Sequence, residues 1–274
     1  MTWLPTLVVA GPLVVAYGLA LRSRPPGLPP WPRHRVWAWA VGCTLVAVAL
    51  SPPMTDGALA DHRVHMVQHL LVGMYAPLAL VVGAPVALAL GSTSRGVARR
   101  TARALRSTPV RVLSHPVTAA VLSTGGLFVV YLSPASAALT GHRGLLLLTL
   151  VHLLASGTLL VWAVAAPSPA PHRARLSTRT AVLVVSAGLH AFLAKLLYAR
   201  AVEAPAAGHA GHGGHALHGG DPAQQAEQLA QAAQIMYYGG DLAELGLAAL
   251  LVVGWYRRSR RTARDVQRAG LAGL

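Results

Sequence analysis

Acidic residues are scarce in this chain. Eight Asp and Glu stand against 23 Lys and Arg in 274 residues, and charged residues of both signs make up only 11%. Thiols are scarcer still: Cys43 is the single cysteine, so no disulfide can form within the chain and there is no Cys-x-x-Cys metal motif. Any metal chemistry must therefore rest on His, Met and carboxylates. The sequence has no Gly-rich phosphate loop and no Asp-Lys-Thr phosphorylation sequence, which argues against an ATP-driven pump. It shows no nucleophile with a paired base, so it is not expected to be an enzyme. A soluble domain is missing too. With 54% hydrophobic residues and a mean hydropathy of +0.51, the composition is far from that of a soluble globular protein.

What fills the chain instead is a series of apolar runs, each long enough to cross about 30 Å of hydrocarbon as a helix. Seven are apparent, at approximately Thr2–Leu21, Val36–Leu50, Val64–Leu90, Pro116–Leu132, Gly144–Ala166, Thr180–Ala199 and Ala232–Tyr256. Within a bilayer every backbone polar group must be satisfied inside the protein, so helices are the expected form. The expectation is an all-α, multi-pass bundle in the cell membrane, with a transmembrane domain over 1–256 and a basic cytoplasmic tail over 257–274. Nineteen arginines fall in alternate loops, at 22–35, 95–111 and 173–179 and in the tail, whereas the opposite loops hold only Arg63, Arg143 and Arg200. Basic loops stay cytoplasmic, so the N-terminus is expected outside and the C-terminus inside. The same placement explains the net charge of +15 by topology and contact with anionic lipid rather than nucleic acid, for which no role is expected. The first run lacks a basic start and is followed by Arg22 and Arg24, so it is expected as a retained helix and not a cleaved leader.

Thirteen histidines are present, and on this topology ten lie outside or in the outer half of the membrane. Three open the third run, DHRVHMVQHLLVGMYAPLAL. There His62, His65, Met66 and His69 fall within about 100° of helical arc, and Gly73 and Ala76 continue the stripe. The i, i+4 pair His65 and His69 can aim two imidazoles at one first-row transition ion. His69 sits roughly 6–8 Å into the apolar slab, a depth at which polar groups face the bundle or a cavity. Interfacial histidines bonded to neighbours or headgroups are the plainer alternative. Pro77 removes the backbone bond to Gly73 and is expected to kink the helix beneath them.

Other runs bring polar groups to similar depth. His152 and His190 are candidate metal ligands, or structural histidines bonded to a neighbouring carbonyl. Tyr237, Asp241 and Glu244 share a face of the last run, with Lys195 the cation nearest in depth. Two intramembrane carboxylates require a cation, a proton or a metal, so these four form either an ion-pair network or part of a metal site. His209, His212, His215 and His218 recur every third residue in the loop 203–222, a flexible tract suited to loose ion capture. His34, His115 and His172, on the cytoplasmic side, form no cluster.

The segment HMVQHLLVGMYAPLALVVGAP resembles the signature helix of the seven-helix CtaG-type cytochrome c oxidase assembly factors. In that pattern a His-Met-x-x-His opening leads into a Pro-containing apolar helix with a Gly-x-Pro ending. The matching residues are His65, Met66, His69, Pro77, Gly83 and Pro85. Helix number and loop sizes extend the likeness over nearly the whole chain. QIMYYGGDLAEL matches more loosely through Met236, Gly239 and Gly240, with Gln234 and Tyr237 departing from the Asp-Gln pair and the tryptophan of the family pattern. The resemblance implies assembly of a haem-copper respiratory oxidase, with its subunits as partners and copper as cargo. Two other classes stay open. One is a metal permease, against which the nearly apolar inner halves of the helices stand; the other is a haem-binding electron carrier using pairs among His69, His152 and His190. The sequence leaves a homo-oligomer open as well.

Overall fold

The computed structural model describes residues 3–133, 143–165, 172–203 and 222–272; the loop histidines His209, His212, His215 and His218 lie outside them. Among the described residues there are helices and no strands. In chain order we name α1 (Leu4–Arg22), α2 (Arg33–Ala49), α3 (Pro52–Ala60), α4 (His62–Ser92), α5 (Arg95–Leu105), α6 (Thr108–Leu113), α7 (Pro116–Leu132), α8 (Arg143–Ala165), α9 (Leu176–Glu203) and α10 (Pro222–Ala272). Each of the seven apolar runs is helical. Five of these helices are long and apolar enough to cross a membrane, and the bent pair α2 and α3 makes up to six. The remaining one, α7, is a shorter apolar helix.

The bend between α2 and α3, 52°, follows from Pro52 and Pro53. Neither has an N–H to offer the carbonyls of Val48 and Ala49 four residues earlier. Both carbonyls find other donors: Val48 accepts from the Ser51 amide at 3.1 Å and hydroxyl at 2.7 Å, and Ala49 accepts from Gln68 Nε2 at 2.7 Å. Leu50, next in line, takes Thr6 Oγ1 at 2.8 Å. Gln68, fully buried in the His-Met-x-x-His segment, thus holds α4 to the broken end of α2. Asp61 caps α4 by accepting from the Arg63 amide at 2.8 Å, and the Arg63 guanidinium beside it holds its carboxyl below the usual carboxylate range.

Pro77 does not break α4. The helix widens into a π turn over Leu71–Tyr75 just before it and then resumes as Ala76–Val82. A π turn is one way a helix absorbs a lost i→i−4 bond, so the expected kink appears as a local widening. The Gly73 carbonyl, deprived of the Pro77 N–H, faces Gly157 of α8, where a Cβ would collide with it. The Gly-x-Pro ending forms a true interruption. Ala84 adopts the left-handed conformation with φ 52°, and the Gly83 carbonyl accepts from Tyr17 Oη at 2.9 Å. Tyr17 is itself stacked on Trp39 with centroids 4.6 Å apart, so α1 and α2 brace this break. At the far end of α8 the buried Arg179 donates through Nε and Nη2 to the Val164 carbonyl, closing an open helix terminus. Cys43 is buried and free.

Candidate functional site

The π turn sits directly after the His-Met-x-x-His segment and fixes where its side chains point. Met66 and His69 are buried at 2% exposure, and His62 and His65 are partly buried. Three of the sequence candidates gather around one residue of α7, Tyr131. Its ring lies edge-on to His65 and His69, with centroids 6.1 Å and 6.0 Å away, and its hydroxyl donates to Met66 Sδ at 3.9 Å. Tyr131 was not visible as a site residue in the sequence; a lone tyrosine near the end of an apolar run carries no pattern.

On its other side His69 meets α9. The imidazoles of His69 and His190 have centroids 6.3 Å apart with planes inclined by 28°, and His190 is 3% exposed. Glu244 of α10 brings Oε1 to 3.6 Å from His190 Nδ1. None of the four ring nitrogens of the pair has a hydrogen-bond partner. Buried polar groups are nearly always satisfied, so four unpartnered nitrogens on two neighbouring histidines single the pair out as a candidate site. Both rings line a cavity of about 50 Å³ walled by α4, α7, α8, α9 and α10, which also receives Ser186, Glu244 and Gly157. The approach of α10 depends on Gly240, where a Cβ would collide with the His190 ring.

A second π turn, Val121–Gly125 in α7, lines the same cavity through Ser123 and Thr124. Its opened backbone explains His152. That side chain is exposed, does not line the cavity, and sets Nε2 3.1 Å from the Leu122 carbonyl inside the π turn. Of the two sequence readings of His152, the geometry matches the bond to a neighbouring carbonyl. Lys195 is also exposed; its ammonium lies over the Tyr237 ring, 5.4 Å from the centroid. The carboxylate of Glu244 instead turns towards His190, and Asp241 lies one helical turn before it. The sequence grouping of Lys195, Tyr237, Asp241 and Glu244 therefore divides, with a cation on an aromatic face outside and a carboxylate at the histidine pair inside. Among the described residues, no three His, Cys, Asp or Glu side chains converge to hold a metal ion. The donors present come as a pair of imidazoles and as a His-Met-Tyr cluster.

Comparison with known proteins gives one family and several relatives. The family model for the cytochrome c oxidase caa3 assembly factor matches residues 15–258. An uncharacterised protein of Mycobacterium leprae is 30% identical over 169 residues, 59% of this chain and 26% of its own length. Uncharacterised proteins of Mycobacterium bovis and Mycobacterium tuberculosis are each 30% identical over 199 residues, 68% of this chain and 30% of their own. The chain thus spans less than a third of the length of these curated relatives. No solved structure matches it.

Proposed function

The chain belongs to the cytochrome c oxidase caa3 assembly factor family, and from that premise we propose that it supports copper delivery to a haem-copper oxidase at the extracytoplasmic face of the cell membrane. The oxidase subunits are its partners and copper is its cargo. The observation that carries the reading is the convergence of His65, Met66 and His69 on Tyr131, at the end of the bundle where α4 begins. Imidazole and thioether together suit copper in an oxidising compartment that a thiol site would not survive. His62, one turn earlier, extends the cluster towards the surface. On this reading the chain makes seven spans with the N-terminus outside, and residues 257–274 form a basic cytoplasmic tail. The histidines at 209, 212, 215 and 218 raise the local concentration of ions without fixing geometry. No covalent chemistry is required: the ion is held, then passed to ligands that bind it more tightly, so the protein works as a metallochaperone and not as an enzyme.

The test is oxidase maturation across a copper titration in cells. His65→Ala and His69→Ala are expected to lose mature oxidase at copper levels that suffice for the parent chain. Deletion of 209–218 is expected to matter only when copper is scarce. Normal maturation in both point variants, at every copper level, would overturn the assignment.

A further inference from the structure

We propose that His69 and His190 hold one monovalent copper ion between them inside the bundle, as a two-coordinate station beyond the His65 and Met66 cluster, with Glu244 as its counter-charge. This rests on the copper-handling reading above and specifies the state in which the cargo travels.

Three observations lead there. First, the two rings lie with centroids 6.3 Å apart and planes inclined by 28°, a separation that matches the roughly 6 Å set by an ion about 2 Å from one nitrogen of each ring once the rings turn those nitrogens towards it. Second, both rings are almost wholly buried, line the same cavity, and have no hydrogen-bond partner at any nitrogen. The cavity, about 50 Å³, has room for an ion together with water. Third, the donor set is small. No third His, Cys, Asp or Glu closes on the pair among the described residues, so the site offers neither a tetrahedral nor a square arrangement. A cation that accepts two ligands in line fits it; one that demands four does not.

A cation in the membrane interior is costly unless it is balanced. The Glu244 carboxylate, 3.6 Å from His190 Nδ1, stands where it offsets positive charge at the pair. Asp241, one helical turn before Glu244, is half-buried and near enough for its charge to act on both His190 and Glu244, whereas Lys195 is exposed over the Tyr237 ring. His69 belongs to both clusters, as it also faces Tyr131, so it can receive an ion from His65 and Met66 and share it with His190.

The test uses the full chain in detergent micelles loaded anaerobically with Cu(I), with bound copper measured by competition against a cuprous chelator and ligands read by X-ray absorption. A nitrogen-only, two-coordinate shell is expected for the tightest ion in the parent chain. His190→Ala should remove that shell and weaken the tightest binding at least tenfold, and Glu244→Gln should weaken it while keeping the two-nitrogen shell. His152→Ala, outside the cavity, should leave it intact. His190→Gln, close in volume, accompanies His190→Ala, and thermal unfolding of both confirms that losses belong to the ion and not to the fold. If His190→Ala and His190→Gln hold copper as tightly as the parent, with the same ligands, the interior station is overturned while the delivery reading stands. Water alone in the cavity is then its occupant. If the parent chain takes up no copper at all, both fall.

Discussion

A methyl group on Gly157 would have nowhere to go. It would collide with the Gly73 carbonyl oxygen and lie 3.1 Å from both the carbonyl carbon and Pro77 Cγ. Those atoms are backbone and ring at the π turn of α4, so no rotamer change relieves the clash; α8 must move away or the π turn must close. Overpacking of this kind costs about 1–3 kcal/mol, and an unyielding obstacle puts Gly157→Ala at the upper end. The helix propensity of alanine over glycine returns about 1 kcal/mol, leaving a net loss of about 2 kcal/mol. Gly18 of α1 has nothing within 4 Å of its added Cβ, so Gly18→Ala is the control and should be neutral or stabilising by up to about 1 kcal/mol. At roughly 2–4 °C per kcal/mol, thermal unfolding in micelles, followed by tryptophan fluorescence, should separate the two variants by several degrees. The same displacement should loosen the cavity at His69 and reduce bound copper. A Gly157→Ala protein as stable as Gly18→Ala would refute the close contact and the account of the π turn that depends on it.

Two further outcomes follow from the geometry. His152→Ala should lose about 1 kcal/mol of stability by stranding the Leu122 carbonyl but keep copper binding and oxidase maturation; loss of copper would return His152 to the ligand set. Single cysteines at Ala60 and Ala216, introduced after replacing Cys43, should react with an impermeant thiol reagent in intact cells, and one at Thr108 should be protected. The reverse pattern would invert the proposed orientation and the extracytoplasmic site with it.

Much of the scaffold was legible because membrane helices announce themselves by length and polarity alone. All seven apolar runs are helices, and Met66 and His69 of the His65, Met66 and His69 stripe are buried, with His65 partly so. The bend after α2 was hidden in Pro52 and Pro53, which mark a lost hydrogen bond without saying which residue repairs it. Gln68 and Thr6 make the repair from helices near in space, and a chain read linearly cannot pair them. The same holds for the site. His190 was singled out for its depth, yet its meeting with His69 depends on Gly240 letting α10 close on α9. Lys195 and Glu244 lie at like depth, but depth ignores azimuth: one faces outward over Tyr237 and the other inward to His190.

The two π turns make residue count itself a determinant of this protein. Each carries one residue more than a regular α-helix would need along the same path. Deleting any single residue from Leu71–Tyr75 would let α4 relax to 3.6 residues per turn along the same path, with the halves on either side still in phase but the widened turn gone. Pro77 would then meet the carbonyl four residues before it, the clash that the π turn relieves. A substitution within either segment leaves the widened turn in being, whereas a one-residue deletion abolishes it and a one-residue insertion must be absorbed by a further bulge. Within these five-residue stretches, length is therefore under tighter constraint than side-chain identity, the opposite of what holds for most surface loops.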